Sequence, residues 1–181
     1  ARGYHHLPEL TAEAFDNGWF HTGDIGEFDE HDNLYITDRK KDLIKTSGGK
    51  YVAPQKVEAS LAANIPLLSQ AVVLGEGHKY IVALLALEEK AVLRWGRRHG
   101  KSRATYADLI DDPELIAAMQ AGVDRANTRL ERWETVKKFA ILDYDMSSNK
   151  DLVTTSLKVR RSVVAQQFRD LYAVSYTHLT L

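Results

Sequence analysis

Ala71-Val72-Val73-Leu74-Gly75-Glu76-Gly77-His78-Lys79-Tyr80-Ile81-Val82-Ala83-Leu84-Leu85-Ala86-Leu87 points to a buried sheet. It holds two apolar runs of strand length, 71–74 and 80–87, separated by the polar, glycine-bearing Gly75-Glu76-Gly77-His78. Apolar runs of this length bounded by turn residues read as buried strands, and so short a link makes them neighbours. A sheet with a hydrophobic interior needs helices to cover it, and the flanking sequence supplies them.

On the upstream side, Pro54 suits the first turn of a helix, and Val57, Leu61 and Ile65 recur at four-residue spacing along one face. Downstream, 88–98 reads as a helix. The spacing of Leu115, Met119, Val123, Ala126, Leu130 and Trp133 predicts a long helix over 113–133, started by Asp111-Asp112-Pro113. A strand is expected over 136–142. A last helix over 159–172 should bury Val159, Val163, Val164, Phe168 and Leu171. Strands and helices that alternate after residue 42 predict an α+β domain, a mixed sheet with packed helices.

The first 42 residues have a different texture. Residues 1–20 are loop-like and rich in aromatics, with a helical turn expected over 11–15 capped by Thr11, and a turn signal at Asn17-Gly18. Gly26-Glu27-Phe28 and Asn33-Leu34-Tyr35-Ile36-Thr37 read as a hairpin joined by Asp29-Glu30-His31-Asp32. The charged run Asp38-Arg39-Lys40-Lys41-Asp42 resists burial and is the expected boundary or hinge. A second hairpin follows, with Leu43-Ile44-Lys45 and Tyr51-Val52 flanking Thr46-Ser47-Gly48-Gly49-Lys50.

Composition narrows the function classes. The 181 residues are 44% hydrophobic and 27% charged, with a formal net charge of -1. These are the values of an ordinary globular chain without the basic block that nucleic acid or anionic lipid would require, so no nucleic-acid partner is expected. The absence of Cys removes disulfides, thiolate metal sites and cysteine nucleophiles together, and fits a cytoplasmic setting. No apolar stretch approaches the ~20 residues that span a bilayer. The chain opens on Ala1 rather than Met, which leads us to expect a fragment.

Seven histidines are scattered without a second ligand at metal-binding spacing, so no metal site is expected. Ser47-Gly48-Gly49-Lys50 resembles the end of a phosphate loop but lacks its glycine spacing, and Tyr51 stands where Ser or Thr would bind magnesium; a hairpin turn is the better reading. Three other features carry more. Asp24 follows Gly23 at the edge of the first hairpin, and an ionised carboxylate accepts hydrogen bonds from both vicinal hydroxyls of a ribose. Arg39 lies just beyond the returning strand, where its planar fork suits phosphate or ribose oxygens. Lys158, in Thr155-Ser156-Leu157-Lys158-Val159-Arg160-Arg161, offers a flexible ammonium at a loop-to-helix junction, suited to a transferring phosphoryl group. Taken singly, each has a plainer reading: a turn cap, a solvated arginine, one surface lysine among many.

Taken in order, they resemble a family. Gly18-Trp19-Phe20-His21-Thr22-Gly23-Asp24-Ile25-Gly26, then Asp38-Arg39-Lys40-Lys41-Asp42-Leu43-Ile44-Lys45, then the Ser47-Gly48-Gly49-Lys50 turn look like the adenylate-forming enzymes, and most of all like the C-terminal portion of long-chain fatty-acid–CoA ligases. The resemblance runs from about residue 2 to 172. It implies that Asp24 binds the ribose of ATP and then of the acyl-adenylate, that Ile36 packs near the nucleotide, and that Arg39 contacts its ribose or phosphate side. Lys41 matches the hinge about which the C-terminal domain rotates. Gly48, Gly49 and Lys50 match the face presented to CoA, and Lys158 the lysine that assists adenylation. The insertion between Leu87 and Val136 and the ending Leu157-Lys158-Val159-Arg160-Arg161 resemble the long-chain type, whereas Leu152-Val153-Thr154-Thr155 lacks the Pro that relatives carry before this lysine.

The implied division is 1–38 as the terminal hairpin segment of a larger adenylation domain, 39–172 as the mobile C-terminal domain, and 173–181 as a non-native or divergent tail. The implied partners are a fatty acid, ATP, CoA and the chain's own N-terminal adenylation domain. Mg2+ is expected for the full-length enzyme, with ligands outside this sequence, and peripheral membrane association is compatible with the class. The alternatives are another adenylate-forming subfamily that takes a shorter acid, and a non-catalytic stand-alone α+β interaction module.

Overall fold

The computed structural model describes residues 3–144, 146, 149, 151–152 and 159–169. The chain divides into two units, Ala1–Leu43 and Ile44–Leu181.

In the first unit, Pro8 occupies the first helical position of α1 (Pro8–Ala14), where its fixed φ favours a helix and its missing N–H costs nothing. The helix therefore starts before the 11–15 turn expected from sequence. Thr11 lies inside it rather than at its cap, its Oγ1 donating to the Leu7 carbonyl at 2.8 Å and accepting the Tyr4 N–H at 2.9 Å. Strands β1 (Phe15–Asp16) and β2 (Trp19–Phe20) pair antiparallel around Asn17-Gly18. Both turn residues have positive φ, 49° and 84°, the geometry that Asn-Gly favours.

The hairpin read between residues 26 and 37 is longer than expected. β3 (Asp24–Phe28) and β4 (Leu34–Arg39) pair antiparallel from Phe28↔Leu34 to Asp24↔Arg39, with a bulge between Ile25 and Gly26. Asp29 closes its turn: the carboxylate accepts the backbone N–H groups of His31 and Asn33 and the Asn33 amide at 2.8, 2.9 and 3.0 Å. The Asn33 amide bond holds the Asp29 carboxyl below its ordinary range. A 3-10 turn over Lys40–Asp42 follows. Asp38, 2% exposed, is the one buried residue of this unit among those described.

The second unit opens with β5 (Ile44–Lys45) and β6 (Tyr51–Val52), an antiparallel pair. Next comes α2 (Pro54–Asn64), with Pro54 in its first turn and Val57 and Leu61 fully buried. β7 (Leu68–Leu74) and β8 (Ile81–Leu87) pair antiparallel, as their apolar runs predict. After α3 (Glu89–Arg98), α4 (Tyr106–Ile110) and α5 (Pro113–Asn127), β9 (Val136–Ile141) joins β8 in parallel. The sheet order is β7-β8-β9 and the sheet is mixed. α6 (Arg161–Gln167) comes last.

Every residue of β8 is buried because both faces of the sheet are covered. Val73, Ala83 and Leu85 face a core shared with Val57, Leu61, Val92, Leu115, Met119 and Val123. Val72, Leu74, Val82 and Leu84 face Leu142, Met146, Leu152 and Val164. The two-residue strand period thus sorts one continuous apolar run into two cores.

Three expectations need correction. α5 ends at Asn127, so Leu130 and Trp133 lie past it and Trp133 is exposed. Asn127 itself stops the helix from running on: its side chain donates to the Val136 carbonyl and accepts the Val136 N–H, both at 2.9 Å, turning the chain into β9. α4 was not expected. Its start carries a capping box in which Thr105 and Asp108 satisfy each other's backbone N–H. α6 is shorter than the helix expected over 159–172, and Val163 is exposed while Val164 is buried, because one face alone of a short surface helix meets the core. Leu171 and Tyr172 lie outside the described residues.

A charge cluster pins the start of α5. Asp112 caps the helix, accepting the Glu114 N–H at 2.9 Å, and Lys101 reaches Asp112 at 2.6 Å and Glu114 at 2.7 Å. Hydrogen bonding to Asp112 raises the Lys101 ammonium above the ordinary lysine range, and the same bond lowers Asp112.

Candidate functional site

Asp24 opens β3 directly after Gly23, whose φ of 71° turns the chain into the strand. Thr22 Oγ1 accepts the Asp24 N–H at 3.0 Å, so the residue's backbone is set by a local side-chain turn. Antiparallel register places Arg39 directly opposite, and Arg39 Nε lies 3.1 Å from Asp24 Oδ1. The arginine side chain is 67% exposed and the aspartate 29%. The hairpin thus brings a carboxylate and a guanidinium fifteen positions apart side by side at its open end. Together they offer acceptors for hydroxyls and donors for anionic oxygens. The buried Asp38, whose Oδ1 accepts the Arg39 N–H at 2.7 Å, fixes the backbone beneath the arginine. The charged run 38–42 reads as resisting burial, but its first residue, Asp38, belongs to β4 and is buried there. Ile36, on β4 opposite Gly26, is exposed, and so is Lys41 in the 3-10 turn.

The second unit carries the glycine turn. Thr46, 6% exposed, organises it: its N–H donates to the Lys50 carbonyl at 2.9 Å, its carbonyl accepts the Gly49 N–H at 2.9 Å, and its hydroxyl accepts the Lys50 N–H at 3.2 Å. This is a hairpin turn. Gly49 has φ 75°, and a Cβ placed there meets nothing within 4 Å, so the glycine is required by backbone conformation and leaves the tip open. Lys50 turns back over the Trp133 ring, its Nζ 4.9 Å from the centroid.

The hairpin is strapped to the β7–β8 loop at three points. Glu76 Oε2 accepts the Lys45 N–H, the Lys45 carbonyl accepts the Gly77 N–H, and the His78 carbonyl accepts the Ser47 N–H, each at 2.9 Å. Glu76 went unnoticed in the sequence, where it reads as an ordinary polar turn residue.

Lys158 lies outside the described residues. Arg161, three positions on, makes a two-pronged pair with Glu58 of α2, with Nη1–Oε1 at 2.6 Å and Nη2–Oε2 at 3.2 Å. Among the described residues no group of three or more His, Asp or Glu is placed to hold a metal ion. No described helix is long and apolar enough to cross a membrane.

Residues 41–180 match the model of the AMP-binding enzyme C-terminal domain. The chain belongs to that family. Asp24, Ile36 and Arg39 precede the matched segment of this AMP-binding enzyme C-terminal domain, whereas Lys41, the Gly48-Gly49 turn, Glu58, Lys158 and Arg161 fall inside it. The long-chain-fatty-acid–CoA ligase FadD15 of Mycobacterium tuberculosis is 44% identical over 167 residues, covering 92% of this chain and 28% of the relative. The putative fatty-acid–CoA ligase fadD11 of the same species is 35% identical over 177 residues, covering 95% of this chain and 31% of the relative. This family member therefore spans less than a third of the curated relatives it matches. The adenylation domain of a carboxylate reductase from Mycobacterium chelonae superposes with a TM-score of 0.72 at 24% identity, over 96% of this chain and 26% of that one. At that identity the likeness speaks for the fold alone.

Proposed function

We propose that the chain is the C-terminal part of an ATP-dependent long-chain fatty-acid–CoA ligase. In the reaction, a fatty carboxylate attacks the α-phosphorus of ATP, pyrophosphate leaves, and the CoA thiol then displaces AMP from the acyl-adenylate. The pairing of Asp24 with Arg39 at the end of the first hairpin carries this reading, in a chain 44% identical to a fatty-acid–CoA ligase across 92% of its length. Asp24 takes the ribose hydroxyls and Arg39 orients its carboxylate while facing the nucleotide's anionic side; Ile36 packs near the nucleotide.

Lys158 stabilises charge on the α-phosphate oxygens during adenylation. For thioester formation, rotation about Lys41 withdraws Lys158 and presents Gly48, Gly49 and Lys50 to CoA. The open turn tip, with no atom within 4 Å of a Cβ at Gly49, supports passage of a narrow pantetheine there. Residues 1–38 form the end of the adenylation domain, 39–172 the mobile domain, and 173–181 a tail. Trp19, Phe28, Leu34, Tyr35 and Ile36 are all exposed in the first unit, which suits a segment that completes its core against the rest of an N-terminal adenylation domain. Mg2+ is assigned to the full-length enzyme with its ligands outside this sequence, and no step here is routed through it.

The test is Lys158→Ala in the full-length ligase. Pyrophosphate release with ATP and fatty acid should fall by about 100-fold, the scale for loss of one preorganised charge-stabilising group, while thioester formation from supplied acyl-adenylate persists. Equal losses in both half-reactions would overturn the assignment. The chain on its own should form no acyl-CoA from ATP, CoA and palmitate, and turnover by it would refute the proposed division of labour.

A further inference from the structure

Trp133 is 41% exposed, yet the turn that carries it is anchored on both sides. Just after it, Glu134 is 6% exposed and pairs with Lys56 of α2 at 3.1 Å. The Glu134 carboxylate also accepts the Glu131 N–H at 3.3 Å, and the Glu134 N–H donates to the Glu131 carbonyl at 2.8 Å. The Thr135 hydroxyl donates to the Arg132 carbonyl at 2.9 Å, and two bonds join Asn127 to Val136. Opening the turn would strip a buried carboxylate of its partners, which is costly. The exposed indole is therefore held in one place.

It meets Lys50, which closes the glycine turn and whose Nζ lies 4.9 Å from the ring centroid. At the other end of that turn, Lys45 Nζ stands 5.7 Å from the Tyr51 ring centroid, and the two residues are opposite one another in the β5–β6 register. Neither ammonium makes an ion pair with a carboxylate among the described residues. A carboxylate would neutralise such a group, whereas the face of a neutral ring attracts it and leaves its charge intact. A lysine stem is flexible, and a contact that orders it before a ligand arrives lowers the entropy lost on binding.

We propose that Trp133 is a positioning residue for CoA: it holds the Lys50 ammonium, charged and preordered, beside the glycine turn to meet a phosphate group of the incoming CoA. The inference rests on the CoA-facing role proposed for Gly48, Gly49 and Lys50. CoA suits such a site because its nucleotide end is polyanionic and its pantetheine arm is uncharged, so an ammonium at the turn selects the nucleotide end. Trp133 acts through Lys50, and Lys56 and Glu134 act through Trp133.

The experiment uses the full-length protein with Trp133→Ala, Trp133→Phe, Lys50→Met, Gly49→Leu and a double variant combining Trp133→Ala with Lys50→Met. Thioester formation from supplied acyl-adenylate is followed against CoA concentration at low and high salt, alongside pyrophosphate release with ATP and fatty acid. Lys50→Met should raise the KM for CoA about tenfold, the scale of one charge-assisted hydrogen bond. Trp133→Ala should raise it about fivefold, with Trp133→Phe between that and wild type because a smaller ring still offers a π face. The rise of KM with salt should be shallower in Trp133→Ala and Lys50→Met, since a charge contact has been weakened. The double variant should match Lys50→Met alone, because the indole acts only through the lysine. Trp133→Phe also serves where the alanine variant does not fold.

A wild-type KM for CoA in Trp133→Ala overturns the proposal, as do additive losses in the double variant, a salt dependence equal to wild type, or equal losses in both half-reactions. Gly49→Leu separates this inference from the reading beneath it. Its side chain enters the open turn tip, so it should slow thioester formation more than adenylation. If Gly49→Leu spares thioester formation, the CoA-facing reading of the turn fails; if it is selective and the Trp133 variants are not, the positioning role alone fails.

Discussion

Arg39 and Asp24 face each other at 3.1 Å with the arginine largely in water, and an exposed pair of this kind contributes about 0–1 kcal/mol to stability. On the proposed function, the pair serves ligand contact rather than folding. In the full-length protein, Asp24→Ala should then leave the melting temperature within about a degree or two of wild type and raise the KM for ATP tenfold or more, since hydrogen bonds to a charged group are worth about 1.5–3 kcal/mol each. A normal KM would remove Asp24 from the nucleotide site.

The Lys101–Asp112 bond belongs to the same scale but has the opposite purpose. Asp112 is depressed, so its contribution is present above the ordinary aspartate value and is lost as pH falls through its lowered one. Lys101 is raised, so its contribution is present below the ordinary lysine value and is lost as pH rises through its raised one. Urea denaturation should show Lys101→Met destabilised at neutral pH, by an amount that shrinks as pH falls through the lowered Asp112 value. A deficit that does not shrink would trace to lost packing or to the ammonium's place over the Trp95 ring, 5.4 Å from its centroid, and not to the carboxylate partner.

Among the elements, α5 and α2 approach so closely that position 122 admits no side chain. A Cβ at Gly122 lies 2.6 Å from Ile65 Cγ1 and 3.2 Å from the Asn64 carbonyl oxygen, and the second of these is backbone. Gly122→Ala gains helix propensity on the order of 1 kcal/mol but overpacks the contact. The balance should be a loss of about 1–2 kcal/mol in chemical denaturation, and a stabilised variant would contradict the geometry. Glu76 secures a different element: without its acceptor the Lys45 N–H loses a partner, and the glycine hairpin loses one of three straps. On the proposed function, Glu76→Ala in the full-length protein should slow thioester formation more than adenylation. Slowed adenylation with normal thioester formation would count against this role for the strap.

Across the molecule, the described buried apolar residues all belong to the second unit, from Ile44 to Val164. Both cores are assembled without any residue before Ile44. A chain reduced to residues 44–181 should then unfold cooperatively at a midpoint within a few degrees of the 181-residue chain. Loss of the transition would show that the first unit contributes to the fold and is not merely attached to it.

Much of the fold could be read in the sequence because local periodicity carries it. The apolar run of β8, the four-residue spacing in α2 and the Asn17-Gly18 turn each announce their element within a few residues. The Asp24–Arg39 pair does not, because the register set by Phe28↔Leu34 would place Asp24 opposite Asp38, and the bulge between Ile25 and Gly26 moves it to Arg39. Sequence alone thus carries the α+β class, the order of the main elements and the likeness to the AMP-binding enzyme family. The tertiary structure alone decided which apolar residues of β8 serve which core, where Asn127 turns the chain away from the helix, and that Glu58 meets Arg161 across 103 positions. Such contacts have no sequence signature, because a charged residue on the polar side of a helix looks the same whether it faces water or a distant partner. Folding brings that partner close, and the edge of the sheet at Val73 supplies the backbone groups that both charges bind.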